Sequence, residues 1–255
     1  GQRSLAVAAS DLAAMGATPL AFTLALTLPT VDADWLEAYA RGLNLMAQGC
    51  GLRLIGGDTT RGPLCLTLTV FGRVPNGQAL TRSGAQPGDL LCVGGELGNG
   101  AGALPLVLNQ LSAGPSIAEP LLAHYWSPQP QLALGQVLRG KATAALDISD
   151  GLLADCGHIA AASRVGLLIE NDRLPISLAL QEFLGDAGAQ QAALSGGDDY
   201  VLAFTLPAVE LPTLLADGWP IHVIGRVVEG QGVGLLDVDG QDITPTIRGY
   251  QHFGI

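Results

Sequence analysis

Aromatic and charged residues are both scarce in this chain of 255 residues. Phe, Trp and Tyr make up only 5% of it, so a sizeable core has to be built from Ala, Leu and Val. Charged residues make up 14%, well below the roughly one quarter that is usual in soluble domains. We interpret this low charged fraction as a sign that a partner subunit covers part of the surface.

Basic residues are especially few. The chain has 12 Lys and Arg against 23 Asp and Glu, which gives a formal net charge of -11. This balance argues against a nucleic-acid partner, because a phosphate backbone is bound by clustered Lys and Arg. If the substrate is an anion, metal ions or backbone N–H groups have to offset its repulsion from the acidic protein.

Paired cysteines and long apolar runs are absent from the sequence. Its four cysteines are widely spaced without a C-x-x-C pair, so we expect reduced thiols rather than a zinc site or a disulfide framework. No segment approaches the roughly 18 continuous apolar residues of a membrane span, and no apolar core follows a cationic segment as in a signal peptide. We therefore expect a cytoplasmic protein with no membrane partner.

Helical and strand-like patterns alternate along the chain, which predicts an α/β fold with α+β character in its first part. The turn-rich segment 82–89 predicts a boundary between two domains, residues 1–83 and residues 84–255. Helices are predicted at 4–16, 32–50 and 149–163, and a long helical region interrupted by "SPQPQ" is predicted to run to about Gly140. Strands are predicted at 20–29, 52–60, 64–74, 90–95, 143–148, 165–170, 199–207, 220–228 and 233–240. The helix predicted at 149–163 has Ser149 or Asp150 at its start.

Acidic residues gather in glycine-containing turns at the ends of predicted strands. Asp147 and Asp150 flank Ser149 in "DISDG", Asp58 follows a strand in "IGGDTT", and Asp198 precedes a strand in "SGGDDY". Carboxylate oxygens are suitable ligands for Mg²⁺, and glycine lets the backbone approach a phosphate closely.

A fourth acid, Asp11, lies within an Ala-rich helical pattern, where burying an ionised carboxylate without a partner would be costly. With Asp58, Asp147 and Asp150 it predicts a divided Mg²⁺ site. Simpler interpretations stay open for the others, since Ser149 or Asp150 can cap a helix and Asp58 can serve a turn.

Basic and nucleophilic candidates are fewer. Arg82 lies in a turn where its guanidinium can hold a phosphate, although a surface arginine is the simpler interpretation. The four histidines are scattered, and none pairs with a nucleophile in the sequence. We identify no general base and no covalent hydrolase site.

Together these motifs resemble the thiamine-monophosphate kinase family of the aminoimidazole-ribonucleotide-synthetase-like superfamily. The matching segments are "LAVAASDLAAMGATP", "LIGGDTTRGPLCLTLTVFG", "TRSGAQPGDLLCVGGELG", "PQPQLALG", "LDISDGLLADCGHIAAAS", "LSGGDDYVLAFT", "VIGRV" and "GYQHF", in the family's order over nearly the whole chain. The resemblance implies a two-domain fold, a homodimer that pairs its first domains, and Mg²⁺-dependent transfer of a phosphoryl group from ATP to thiamine monophosphate, giving thiamine diphosphate.

The resemblance also implies roles for individual residues. They are ATP binding by Gly57, Asp58, Arg82 and Ser149, binding of several Mg²⁺ ions by Asp11, Asp58, Asp147 and Asp150, and substrate binding by Asp198 and Phe253. Asp198 stands where the family usually has Glu, which shortens the side chain by one methylene. The family's early Gly-Asp-Asp, Ser-Thr-Asp and substrate-histidine motifs are not in this sequence, which therefore resembles an N-terminally truncated form.

Two alternatives to this activity remain open. The chain could be an inactive nucleotide-binding and dimerising module, or another ATP-using member of the superfamily that activates an acceptor such as an amidine or selenide. Retained nucleotide binding without turnover would favour the first alternative, and indifference to thiamine monophosphate would favour the second.

Overall fold

A computed structural model of the chain describes residues 1–246 and Gly249. Its helices are α1 (Gln2–Ala14), α2 (Ala33–Cys50), α3 (Asn99–Val107), α4 (Pro115–Trp126), α5 (Leu132–Leu138), α6 (Leu152–Ser163), α7 (Leu178–Ser195) and α8 (Leu211–Ala216). Its strands are β1 (Thr18–Leu28), β2 (Arg53–Arg61), β3 (Cys65–Arg73), β4 (Leu90–Val93), β5 (Ala144–Asp147), β6 (Gly166–Glu170), β7 (Leu202–Leu206), β8 (His222–Val228) and β9 (Gly232–Leu236). Every strand predicted from the sequence is present.

The first sheet has the order β2-β1-β3, with β1 parallel to β2 and antiparallel to β3. Successive side chains of a strand point to opposite faces, and this alternation buries Phe22 and Leu26 of β1. Phe22 packs with Tyr39 and Leu43 of α2 in one apolar cluster. The edge strand β2 is exposed over its whole length.

The second sheet has six strands in the order β5-β7-β4-β8-β6-β9. Its pairs are antiparallel except β6 with β9. The largest apolar cluster lies under this sheet and α6 and includes Leu91, Ile148 and Ile159. The predicted mixed α/β architecture is confirmed, because both sheets pack against helices, although alternation of helices and strands did not fix the direction of strand pairing.

Local signals set the ends of the first two helices as predicted. The Asp32 carboxylate accepts a hydrogen bond of 3.1 Å from the Trp35 N–H and so caps α2. Gly51 ends that helix in the left-handed conformation with φ +68°. Gly16, with φ +64°, follows the end of α1.

Helix α1 lies between the two sheets. A Cβ on Gly135 of α5 would lie 2.1 Å from the Ala13 carbonyl oxygen, so only glycine permits this close approach of the two helices. Ala13 is buried in a cluster with Leu134 and Leu138, and the Leu80 N–H bonds the Met15 carbonyl at 3.1 Å. These contacts fix α1, with Asp11, against the second half of the chain.

No helix within residues 1–246 is both long enough and apolar enough to cross a bilayer.

Candidate active site

Three glycine-containing loops lie side by side at the same ends of neighbouring strands in the larger sheet. Strand β5 ends at Asp147, which pairs with Leu202 at the start of β7. Strand β4 ends at Val93, which pairs with Ala203 of β7. The loops that follow β4 and β5 therefore lie beside the loop that precedes β7.

The loop after β5, residues 148–151, is hydrogen-bonded to the loop before β7, residues 196–201. The Tyr200 N–H donates to the Ile148 carbonyl at 2.8 Å, and the Asp198 N–H donates to the Ser149 carbonyl at 3.0 Å. A Cβ on Gly197 would lie 2.1 Å from the same Ser149 oxygen. Ser149 and Asp198, which the sequence proposed separately as site residues, are thus brought into one unit.

The prediction that Ser149 or Asp150 caps the following helix is wrong. Helix α6 begins at Leu152 after Gly151, and no side chain at Gly151 can cap it. The carboxylate of Asp155, inside the helix, accepts instead from the N–H groups of Ser149, Asp150 and Gly151 at 2.9, 2.9 and 3.1 Å. The N–H groups of this loop therefore bond to a side chain of the helix itself. The side chains of Ser149 and Asp150 are not used to cap the helix.

Asp11 and Asp147 face each other electrostatically across the junction of α1 and β5. Burial raises the pKa of Asp11, the negative charge of Asp147 raises it further, and Arg82 opposes the rise. Burial also raises the pKa of Asp147, against the effects of the Ser10 hydroxyl, the Asp147 backbone amide and Arg82. Three residues predicted for the site, Asp11, Asp147 and Arg82, therefore act on one another.

The expectation that Asp11 sits in an apolar surrounding needs correction. Asp11 is exposed, although its neighbours Ser10 and Leu12 on α1 are buried. Neighbouring protein atoms nevertheless remove enough water around the carboxyl group to raise its pKa. The partner expected for a poorly solvated carboxylate is Arg82, on the segment that links the two sheets.

The prediction that Asp58 lies in a turn after a strand is wrong, because β2 continues to Arg61 and contains both Gly57 and Asp58. Both are exposed on the edge strand β2, where the Asp58 carboxylate accepts from the Thr59 N–H at 2.8 Å. Among residues 1–246 and 249, no three His, Cys, Asp or Glu side chains come close enough to hold one metal ion. The four predicted carboxylates thus do not form a single metal cage within this chain.

Asp198 is held by an arginine that the sequence did not single out. The Arg3 guanidinium lies 2.8 Å from the Asp198 carboxylate, which also accepts from the Tyr200 hydroxyl at 2.8 Å. Asp198 and Tyr200 have φ of +69° and +53°, in the left-handed region that side chains rarely adopt. The backbone of this loop is therefore strained at Asp198 and at Tyr200, whose side chains are hydrogen-bonded to each other.

Asp199 is a second residue without an assigned role in the sequence. Its buried carboxylate accepts from the N–H groups of Gly98 and Gly100 at 2.7 and 3.1 Å, at the start of α3. Burial raises its pKa to about 7, against the effect of those two donors. The sequence does contain a signal for this residue, because Asp199 is the second acid of "GGDD" and stands directly before an apolar strand.

Phe253, proposed for the substrate site, lies outside the residues that the structure describes. Gly249, which precedes it in the tail, lies against the loop after β5. A Cβ at Gly249 would lie 2.7 Å from the Asp150 carbonyl and 2.5 Å from the Ala154 side chain.

The donor set around Asp11 and Asp147 fits Mg²⁺. Both groups offer hard carboxylate oxygens, and their proximity raises the pKa of Asp11, so a bound cation would relieve the repulsion. The buried Ser10 hydroxyl next to Asp147 makes no hydrogen bond of good geometry within the described residues. Mg²⁺ is often bound by one or two carboxylates together with substrate phosphates rather than by a complete protein cage.

Two domains of one known protein family match most of the chain. Residues 1–74 match the N-terminal domain of AIR synthase related proteins. Residues 86–238 match the C-terminal domain of the same family.

Individual relatives give a narrower match. The chain is 44% identical to the thiamine-monophosphate kinase of Escherichia coli K12 over 98% of its own length and 79% of the relative's. It is 35% identical to that of Pyrococcus horikoshii, over 99% and 78% of the two chains. These relatives confirm the expected family for this chain.

Solved structures agree with the sequence comparisons. Thiamine-monophosphate kinase from Stenotrophomonas maltophilia K279a matches with a TM-score of 0.87 and 46% identity, over 94% of this chain and 78% of that one. AaThiL complexed with AMPPCP and TMP matches with a TM-score of 0.87 and 28% identity, over 99% and 82%. The two-domain fold expected from the resemblance is thus confirmed, and the chain belongs to the thiamine-monophosphate kinase family of AIR synthase related proteins.

Proposed function

We propose that this chain transfers the terminal phosphoryl group of ATP to thiamine monophosphate, giving thiamine diphosphate and ADP. The observation that carries the proposal is the contact of α1 with β5, through which Asp147 and Arg82 act electrostatically on Asp11, next to the loop that bears Ser149 and Asp150. Family membership and a relative solved with AMPPCP and TMP support the same reaction.

The chain's own residues supply position and charge. The Arg82 guanidinium offers planar donors for a phosphate oxygen, and Ser149 is exposed at the loop where a nucleotide can reach it. The acceptor is a phosphate whose second pKa is about 6, so it is already largely ionised near neutral pH. A general base is not required, which agrees with the absence of one among the predicted site residues.

Mg²⁺ would be held by Asp11 and Asp147, and we propose that Asp150 and Asp58 contribute to further ions. When bound, such ions neutralise the charge on the phosphates during transfer. Without a cation, the carboxylates themselves would repel both anionic substrates.

We further propose that Asp198 and Phe253 contact thiamine monophosphate, and that Gly57 and Asp58 contact ATP. The domains would be residues 1–83 and 84–255. Arg3 and Tyr200 fix the orientation of the Asp198 carboxylate. This orientation supports a role for Asp198 in substrate binding.

A homodimer is part of the proposal. Strand β2 is exposed throughout, and Leu54, Ile55 and Phe71 on the first sheet are 55%, 65% and 44% exposed. An unpaired edge with apolar side chains is a surface that proteins usually cover. A second copy of the first sheet would cover it, as the low charged fraction also suggests. We place the enzyme in the cytoplasm.

The test is formation of thiamine diphosphate from thiamine monophosphate and ATP, with and without Mg²⁺. Asp147→Asn should lower kcat/KM by about 100-fold or more, in the range of losing one electrostatic group of an active site. Asp217→Asn, at the exposed end of α8, is the matched control and should behave like the parent chain.

Other outcomes distinguish the alternatives. Nucleotide binding by a folded chain without turnover would favour an inactive nucleotide-binding module. ATP consumption that does not depend on thiamine monophosphate would favour another activity of the superfamily.

A further inference from the structure

One buried carboxylate binds three consecutive N–H groups of the loop after β5. The Oδ2 atom of Asp155 accepts three N–H groups, from Ser149, Asp150 and Gly151, at 2.9, 2.9 and 3.1 Å. Asp155 is only 4% exposed. A single oxygen therefore fixes the direction of three consecutive peptide groups.

These three donors lie just before helix α6. The first N–H groups of a helix have no partner within it, and neither of the two residues before Gly151 lies inside the helix. The residue before the helix is Gly151, which has no side chain to supply an acceptor. The charge of Asp155 near the positive end of the helix strengthens the bonds.

The opposite side of the same loop is fixed as well. Its carbonyls at Ile148 and Ser149 accept from the N–H groups of Tyr200 and Asp198. Donors are thus held by Asp155 and acceptors by the loop before β7. The side chain of Ser149 remains exposed, and those of Asp147 and Asp150 are only half-buried.

We propose that Asp155 is a positioning residue for phosphoryl transfer: it orients the loop that presents Ser149 to the nucleotide and Asp150 to a bound cation. This inference rests on the proposed function. Asp155 does not itself touch a substrate, because it is buried and its Oδ2 atom is occupied by the three backbone donors.

The simpler interpretation is that Asp155 only stabilises the fold, and Asp89 provides the comparison. Asp89 is likewise buried, at 7% exposure. Its Oδ2 accepts from the Gln86 N–H at 3.0 Å and from the Thr143 hydroxyl at 2.7 Å. Asp89 lies where β4 and β5 begin. The loops of the candidate site follow the opposite ends of these two strands.

The experiment compares Asp155→Asn, Asp155→Ala and Asp89→Asn in the full chain. Amide hydrogen exchange of residues 149–151 reports the loop directly, and titration with AMPPCP and Mg²⁺ reports nucleotide affinity without turnover. Kinetics then separate KM for ATP from kcat.

We expect Asp155→Ala to speed exchange at these amides and weaken AMPPCP binding by about tenfold or more, because hydrogen bonds to a charged group are being lost. KM for ATP should rise more than kcat falls. Asp155→Asn keeps an acceptor oxygen but loses the charge, so it should fall between Asp155→Ala and the parent chain. Asp89→Asn should lower thermal stability and leave exchange at 149–151 and AMPPCP affinity unchanged.

The proposal is overturned if the Asp155 variants lose stability as Asp89→Asn does but keep the parent's AMPPCP affinity. If Asp155→Ala does not fold, Asp155→Asn carries the same comparison. A parent chain that binds AMPPCP but forms no thiamine diphosphate would contradict the proposed function alone, because exchange and affinity still test Asp155. A parent chain that does not bind AMPPCP would overturn both.

Discussion

Arg3 in the first helix holds Asp198 in the loop before β7, with 2.8 Å between the guanidinium and the carboxylate. The same guanidinium donates to the Tyr125 carbonyl at 2.6 Å and lies 3.9 Å from the centre of the Tyr125 ring. Asp198 also accepts from the Tyr200 hydroxyl. One arginine near the start of the chain therefore fixes both the end of α4 and the loop before β7.

We predict that Arg3→Ala lowers the free energy of unfolding by about 1–2 kcal/mol, since it removes a partly buried ion pair together with a cation–π contact. It should also raise KM for thiamine monophosphate, because the Asp198 carboxylate loses its orientation. Urea unfolding and steady-state kinetics measure the two effects. Arg3→Lys keeps the charge but not the planar geometry and should recover only part of the loss.

Arg41 supplies the control for Arg3. It pairs with Glu37 one turn away on the exposed face of α2, and such surface pairs contribute little. Arg41→Ala should leave both measurements near those of the parent chain. Equal effects of the two substitutions would contradict a specific role for Arg3.

Two adjacent glycines of β2 should respond very differently to alanine. Gly57 has φ +146°, and a Cβ there would lie 1.8 Å from the Leu24 carbonyl oxygen. We predict that Gly57→Ala costs about 2–4 kcal/mol of unfolding free energy, because the backbone must move away from β1. A Cβ on Gly56 would meet no atom within 4 Å. Chemical denaturation should therefore show Gly56→Ala close to the parent, and equal losses for the two would contradict the steric argument.

Asp199 should make stability depend on pH. Burial raises its pKa to about 7, whereas an aspartate in an unfolded chain titrates at about 3.9. Between these values the folded chain holds a proton that the unfolded chain has lost. The contribution of Asp199 to stability is therefore complete below the lower pKa and is lost as the pH rises through the higher one.

The measurement is urea unfolding of the parent chain and Asp199→Asn at about pH 5 and pH 8. Asparagine cannot ionise, so the variant should gain stability relative to the parent as the pH rises. It also loses one backbone hydrogen bond at every pH, because its amide N–H₂ cannot accept from Gly98 or Gly100. Asp217→Asn, which changes an exposed carboxyl, gives the baseline, and a stability difference for Asp199→Asn that does not change with pH would refute the assignment.

The proposed dimer predicts an effect of charge on the exposed first sheet. Ile55 on β2 is 65% exposed, and Ile55→Asp should shift the chain from dimer to monomer, because an ionised carboxylate is costly to bury in an apolar interface. Light scattering after size exclusion measures the mass. Val209, 78% exposed just before α8, is the control, and Val209→Asp should leave the mass unchanged. A parent chain that is already monomeric would contradict the proposed interface.

Local elements were predictable because neighbours along the chain decide them. Asp32 caps α2 and Gly51 ends it, as the sequence indicates. The same reasoning failed at α6, where it assigned the cap to Ser149 or Asp150. The acceptor is Asp155, which follows both residues and reaches back to them only because the loop turns tightly over the first turn of the helix.

The sequence by itself determined which residue types stand at the strand ends: glycines that allow close approach and carboxylates that suit a cation. Helix and strand periodicity and turn chemistry were enough for that, because they depend on short spacings. The tertiary structure alone decided that the charge of Asp147 acts on Asp11, that Arg3 holds Asp198, and that Asp58 stays on an exposed edge strand. The first two outcomes depend on how α1 packs between two sheets, and the third depends on the strand order of the first sheet. Contacts between residues far apart along the chain leave no periodic signal in it.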